Sequence, residues 1–163
     1  MVTNRGVHLD NESLATAIGK TVVDASVEEC AAHEISRLSS RKNRLNSASR
    51  GLTKIFTEKI NDHSLYYFTT RDLGVPGFAE RDFRTKILWK KNDEDGTIMI
   101  NVSATNDLDQ KIKVKSGIVV ATVNTVWIFT PLPRIGDIPQ TEGEIGQGAK
   151  RSFNDCKRSY PMS

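Results

Sequence analysis

The chain has 163 residues, of which 26% are charged, and a formal net charge of +3. A single domain of this size buries roughly two thirds of its unfolded surface and needs no metal or disulfide to be stable. The composition neither demands nor excludes an anionic partner. No segment reaches the roughly 20 apolar residues of a membrane span, and MVTNRGVHLDNESLATAIG lacks the apolar run of a secretory signal. The expected location is therefore cytoplasmic, with membrane-peripheral contact allowed.

Residues 1–16 are polar and read as loosely ordered. Ala17–Ala25 carries the β-branched Thr21, Val22 and Val23 and predicts a short strand. Ser26-Val27-Glu28-Glu29 has the form of a capping box, so a helix is expected to start there. Its apolar stripe is Val27, Cys30, Ala31, Ile35 and Leu38, with Arg37, Arg41 and Lys42 near the end that favours cations. Ser39–Gly51 is basic and polar and reads as a loop; without interleaved aromatics it gives no nucleic-acid site.

Leu52–Asn61 and Ser64–Arg71 flank Asp62-His63 and predict a hairpin, with DLGVPG as the turn that follows. From Phe83 the odd positions Phe83, Thr85, Ile87 and Trp89 are mostly apolar, whereas Arg84, Lys86 and Lys90 are basic. Period two means a strand with one dry and one wet face. After Asn92–Gly96 alternation resumes, with Ile98, Ile100, Val102 and Ala104 on one side. Ile118–Phe129 predicts one long strand ended by Pro131 and Pro133. The reading thus gives one strand, one helix and about five further antiparallel strands between residues 17 and 141, followed by a polar tail over 142–163.

Cys30 and Cys156 fit two reduced thiols better than a disulfide framework. His33 and His63 have no second histidine or carboxylate at ligand spacing, so neither a metal nor another cofactor is expected.

The ordered set Arg81-Asp82-Phe83, Leu88-Trp89, two lysines, an Asp-Gly turn, Gly117-x-Val119-x-Ala121 and Trp127-x-Phe129-Thr130-Pro131-Leu132 resembles the START (StAR-related lipid transfer) family. The runs VDASVEEC, EKINDHS, RDLGVPGF and WKKNDEDGT are similar to its divergent algal and protist members, and the resemblance spans about Val22 to Thr141. It implies an α+β helix-grip (START/Bet v 1-like) fold: a curved antiparallel sheet wrapped round a long C-terminal helix, with an apolar cavity that holds one lipid. The cavity lining it implies is Tyr67, Phe83, Ile87, Trp89, Ile98, Ile100, Val102, Val123 and Trp127. Two features depart from the family. Val120 stands where family members have arginine, and the chain after Thr141 has no apolar stripe, so the long C-terminal helix is expected to be missing.

The function implied is that of a non-enzymatic module that binds a sterol, phospholipid or similar molecule on the concave face, in lipid transfer or sensing. Two alternatives stay open. One is a scaffold or regulatory domain whose open sheet is covered by a protein partner; the other is a polyketide cyclase-like enzyme of the same superfamily.

Overall fold

The computed structural model describes residues 3–7, 16–39 and 51–148. In chain order its elements are β1 (Thr3–Val7), β2 (Thr16–Val23), α1 (Val27–Ser39), β3 (Leu52–Asn61), β4 (Ser64–Arg71), β5 (Arg81–Lys91), β6 (Ile98–Ala104), β7 (Val119–Ala121), β8 (Asn124–Ile135) and β9 (Ile138–Gly148). The nine strands form one curved sheet in the order β1-β2-β9-β8-β6-β5-β4-β3, and β7 pairs with β5 beside this path. Every pairing is antiparallel except that of β7 with β5. Residues 8–15, 40–50 and 149–163 lie outside the described residues, and with them the expected loop after α1 and the expected loss of a C-terminal helix.

The structure corrects the sequence reading at four places. Residues 3–7 form a strand rather than a loose end, because β2 offers them a hydrogen-bonding edge from Thr16 to Lys20. The segment read as one strand over 118–129 is two: β7 joins β5 at Arg81–Phe83, and β8 starts afresh at Asn124. Pro131 and Pro133 do not end β8. The pairing of β6 with β8 stops at Phe129, so beyond it one side of β8 is an edge, where a missing N–H is tolerated. Finally, residues 142–148 are not tail but the second half of β9, bonded on both sides to β2 and β8.

Directly opposed residues share a face of the sheet. Leu65 faces Ile87, which faces Val102; one row along, Trp89 faces Ile100, Ile100 faces Trp127 and Trp127 faces Ile145, so two adjoining apolar rows together cross five strands. Helix α1 lies over the β6, β8 and β9 part of that face. Val27 and Ala31 reach into a core of Leu65, Ile87, Ile98, Ile100 and Phe129. Ile87 and Ile100 are essentially inaccessible to solvent, and each contributes roughly 1.5–3 kcal/mol by burial.

The opposite face was expected to be wet along β5; it is at Lys90, but Asp82 and Arg84 are buried. The connector of residues 105–118 crosses β3, β4 and β5 as a strap, which Leu108 anchors as a fully buried plug. Tyr66 Oη donates to Asp107 at 2.8 Å, Lys111 Nζ to Glu58 at 2.6 Å and Arg84 Nη1 to Asp109 at 2.5 Å. Arg84 is thereby only 4% exposed, against the alternation that placed it in solvent. Tyr66 is pushed up from its ordinary pKa chiefly because its proton is held by Asp107. At the far end of the hairpin β3–β4, Gly51 has φ +67° and a Cβ there would lie 2.1 Å from the Asp72 carbonyl oxygen, so the closure requires glycine.

Candidate functional site: a cleft between the helix and the β2–β9–β8 end

A cleft of about 610 Å³ opens between α1 and the end of the sheet formed by β2, β9 and β8. Its shape follows from where glycine stands. Phe129 on β8 faces Gly143 on β9, which faces Thr21 on β2; one row along, Trp127 faces Ile145, which faces Gly19. A large side chain beside a position with none leaves a hollow. The rings of Trp127 and Phe129 are stacked, 6.1 Å apart at an interplanar angle of 8°, and together they make an apolar floor.

The other wall is the first half of α1, with Cys30 and His33 along it, and Ala25 just before it. The helix is held there by its start. Ser26 N donates to Glu29 Oε2 at 2.8 Å and Glu29 N donates to Ser26 Oγ at 3.2 Å, the capping box expected from the sequence. The Ser26 amide and hydroxyl hold the Glu29 carboxyl below the usual carboxylate range, so Glu29 lines the cleft with its charge already engaged. Thr141 Oγ1 donates to the Ala25 carbonyl at 2.8 Å and ties β9 to the residue before the cap. Lys91 Nζ donates to Glu28 at 2.7 Å and pins the same turn to the end of β5; this contact is the main cause that keeps the Glu28 carboxyl low and the Lys91 ammonium high. Partial burial pushes the Cys30 thiol up, which keeps it protonated near neutral pH.

Chemically this is an apolar receptor with a thin polar rim. Lys20 lines the cleft, but its ammonium is bound to Glu144 at 2.8 Å and Glu142 at 3.3 Å. Among the described residues no group of three or more His, Cys, Asp or Glu is placed to hold a metal ion, and no helix is long and apolar enough to cross a membrane.

The residues that the resemblance implied as lining fall into separate places. Tyr67, Phe83, Ile87, Trp89, Ile98, Ile100, Val102 and Trp127 share the face that α1 covers. Ile87, Ile98 and Ile100 are solid core beneath the helix, with Tyr67, Trp89 and Val102 packed round them. Phe83 sits further along, opposite Thr69 and beside Ala121 of β7. Val123 lies between β7 and β8 in no strand, apart from the others. Trp127 alone of the nine lines the cleft. Phe129, Ile145, Gly143 and Gly19 were missed as lining. Phe129 falls within the strand predicted over Ile118–Phe129, but the glycines and Ile145 could be found only by knowing that β9 lies between β2 and β8.

No protein-family model matches the sequence, and no curated protein matches it. Solved structures do. A STAR-related lipid transfer protein from Xanthomonas axonopodis is 14% identical, with a TM-score of 0.64 over 97% of this chain and 83% of its own. The human StarD13 (DLC2) lipid transfer and protein localization domain is 13% identical, with a TM-score of 0.65 over 98% of this chain and 76% of its own. Human STARD10 is 12% identical, with a TM-score of 0.64 over 97% of this chain and 62% of its own. With its nine-stranded sheet gripping a helix in the order described, the chain has the START-like helix-grip fold.

Proposed function

We propose that the domain binds a lipid or similarly apolar molecule in the cleft between α1 and the β2–β9–β8 end of the sheet. The observation that carries this reading is the cleft itself: about 610 Å³, floored by stacked Trp127 and Phe129 and kept hollow by Gly19 and Gly143. That volume lies in the usual range of small-molecule sites, and mostly apolar lining with few polar groups is their usual chemistry. The structural neighbours are named as lipid transfer proteins, which supports the same class of ligand.

Binding draws on the apolar area removed from water, with His33 and the backbone at the rim available to orient a polar end. The loop between β4 and β5 exposes Leu73, Val75 and Phe78 together, and it supplies a surface for transient membrane contact during uptake or release. The test is native mass spectrometry of purified protein, followed by titration with a fluorescent sterol and a fluorescent phospholipid. Co-purified lipid, or saturable uptake of one probe that Gly143→Leu abolishes, supports the reading. Uptake that is absent for both probes, or unchanged in Gly143→Leu, overturns it.

A further inference from the structure

A second, smaller cavity of about 220 Å³ lies on the opposite face of the sheet, between the strap of residues 105–118 and strands β3, β4 and β5. Its charges are sorted. Asp82 comes from the start of β5 and Glu80 from the residue before it, whereas Lys54 comes from β3 and Lys113 and Lys115 from the strap. Its apolar wall is Phe68 with Ile112 and Ile118.

The inner end has unspent hydrogen-bonding capacity. Asp82 is 2% exposed, and its Oδ1 accepts from Thr70 Oγ1 at 2.8 Å. Its Oδ2 has Arg84 Nη2 at 3.9 Å, which is beyond hydrogen-bonding range. A carboxylate oxygen accepts more than one donor, and this one, ion-paired with Arg84 but not hydrogen-bonded to it, keeps lone pairs for a donor in the cavity. The outer end is the reverse. Among the described residues, no carboxylate lies within ion-pairing distance of Lys54, Lys113 or Lys115. The Lys54 ammonium rests 5.3 Å from the centre of the Phe68 ring.

A simple anion in this cavity would lie against Glu80 and Asp82. A simple cation would lie against three ammonium groups. A molecule that carries both charges satisfies both ends, with its ammonium toward Asp82 and Glu80 and its carboxylate toward the lysines. The volume is too small for a peptide or a lipid, and the wall of Phe68, Ile112 and Ile118 suits a short apolar side chain. We propose that this cavity is a binding site for a small zwitterion, of the class of a free amino acid with an apolar side chain. The site is independent of the lipid cleft, which lies across the sheet from it.

The probes are L-leucine, 3-methylbutylamine, which keeps the ammonium but lacks the carboxylate, and 4-methylpentanoate, which keeps the carboxylate but lacks the ammonium. Calorimetric titration of the full chain is expected to give saturable binding of leucine and binding at least about tenfold weaker for each single-charge analogue. The double variant Lys113→Glu/Lys115→Glu, on the exposed strap, is expected to fold with unchanged melting temperature and to bind leucine about tenfold more weakly. Glu80→Gln keeps the Thr53 contact and is expected to weaken leucine as well, in case Asp82→Asn fails to fold. No detectable leucine binding overturns the proposal and leaves a water-filled pocket. So does equal binding of the amine, which makes it a cation site, or equal binding of the acid, which makes it an anion site.

Discussion

Phe129 and Gly143 face each other across β8 and β9, and a Cβ built on Gly143 would stand 3.6 Å from the phenyl ring. That is ordinary contact, so alanine is accommodated at 143 while any larger side chain extends into the hollow. Gly143→Leu is expected to lower lipid uptake by about tenfold or more with little change in melting temperature, because it fills a space rather than displacing core atoms. Fluorescent-lipid titration beside a thermal melt checks this. A variant that melts normally and takes up lipid as the parent does would place the ligand elsewhere.

Ile87 and Trp127 lie on the same face but are expected to fail differently. Ile87 is sealed beneath α1, so Ile87→Ala should cost about 2–5 kcal/mol of stability as a large-to-small core change. Trp127 lines the cleft and is partly exposed, so Trp127→Ala should cost less stability and more lipid affinity. Chemical denaturation and lipid titration on both variants separate the two roles.

Ser26→Ala removes the acceptor for the Glu29 amide and one of the two groups that bind its carboxylate. The expected loss is about 1 kcal/mol, typical of a helix N-cap. The acid limb of the stability profile should shift too. Glu28 and Glu29 both have carboxyl pKa values below their ordinary 4.5, so their stabilising contribution is complete above that value and is lost as the pH falls below it. The parent should therefore lose more stability than Ser26→Ala between neutral pH and the acid range. Equal acid limbs in denaturant melts at several pH values would contradict the capping role.

Arg84 is buried with Asp82 beside it and Asp109 bound to it. Arg84→Ala leaves the buried Asp82 carboxylate without its nearby cation and should cost about 3–5 kcal/mol. Asp109 is more than half exposed, so Asp109→Asn should cost far less. A reversal of this order in equilibrium unfolding would mean that the strap, not the buried cation, dominates.

Phe78 is 59% exposed at the tip of the β4–β5 loop, with Leu73 and Val75 nearby in sequence and also exposed. Phe78→Ser should leave the melting temperature unchanged and reduce co-sedimentation with phospholipid vesicles severalfold. Undiminished vesicle binding would remove this loop from the membrane-contact reading.

What could be read from the residues and what could not divides along a physical line. Alternation made β5 and β6 legible, because one face there is buried and a slip would turn every apolar side chain outward. The capping box was equally legible, since its partners are three residues apart. Strand β9 was not. Its sequence IPQTEGEIGQG holds residues depleted in strands, and one of the two strands that hold it, β2, with Thr21 opposite Gly143, lies far away in the chain. The burial of Arg84 was hidden for a similar reason: the strap that covers it begins twenty residues on, and a local pattern of two carries no information about what lies above the wet face. The cleft depended on both failures being resolved, because its glycines acquire meaning only once β9 is placed.

The same arrangement fixes an order of events during synthesis. The hairpin of β1 and β2 reaches the rest of the sheet only through β9, where Ala17 meets Gln147 and Val23 meets Thr141. A growing chain can pair β3, β4, β5 and β6 as it emerges, while β2 waits for a partner more than a hundred residues downstream. Helix α1 can already settle on β6 and β8 by then, so the docking of β2 against β9 is the closing step of the sheet.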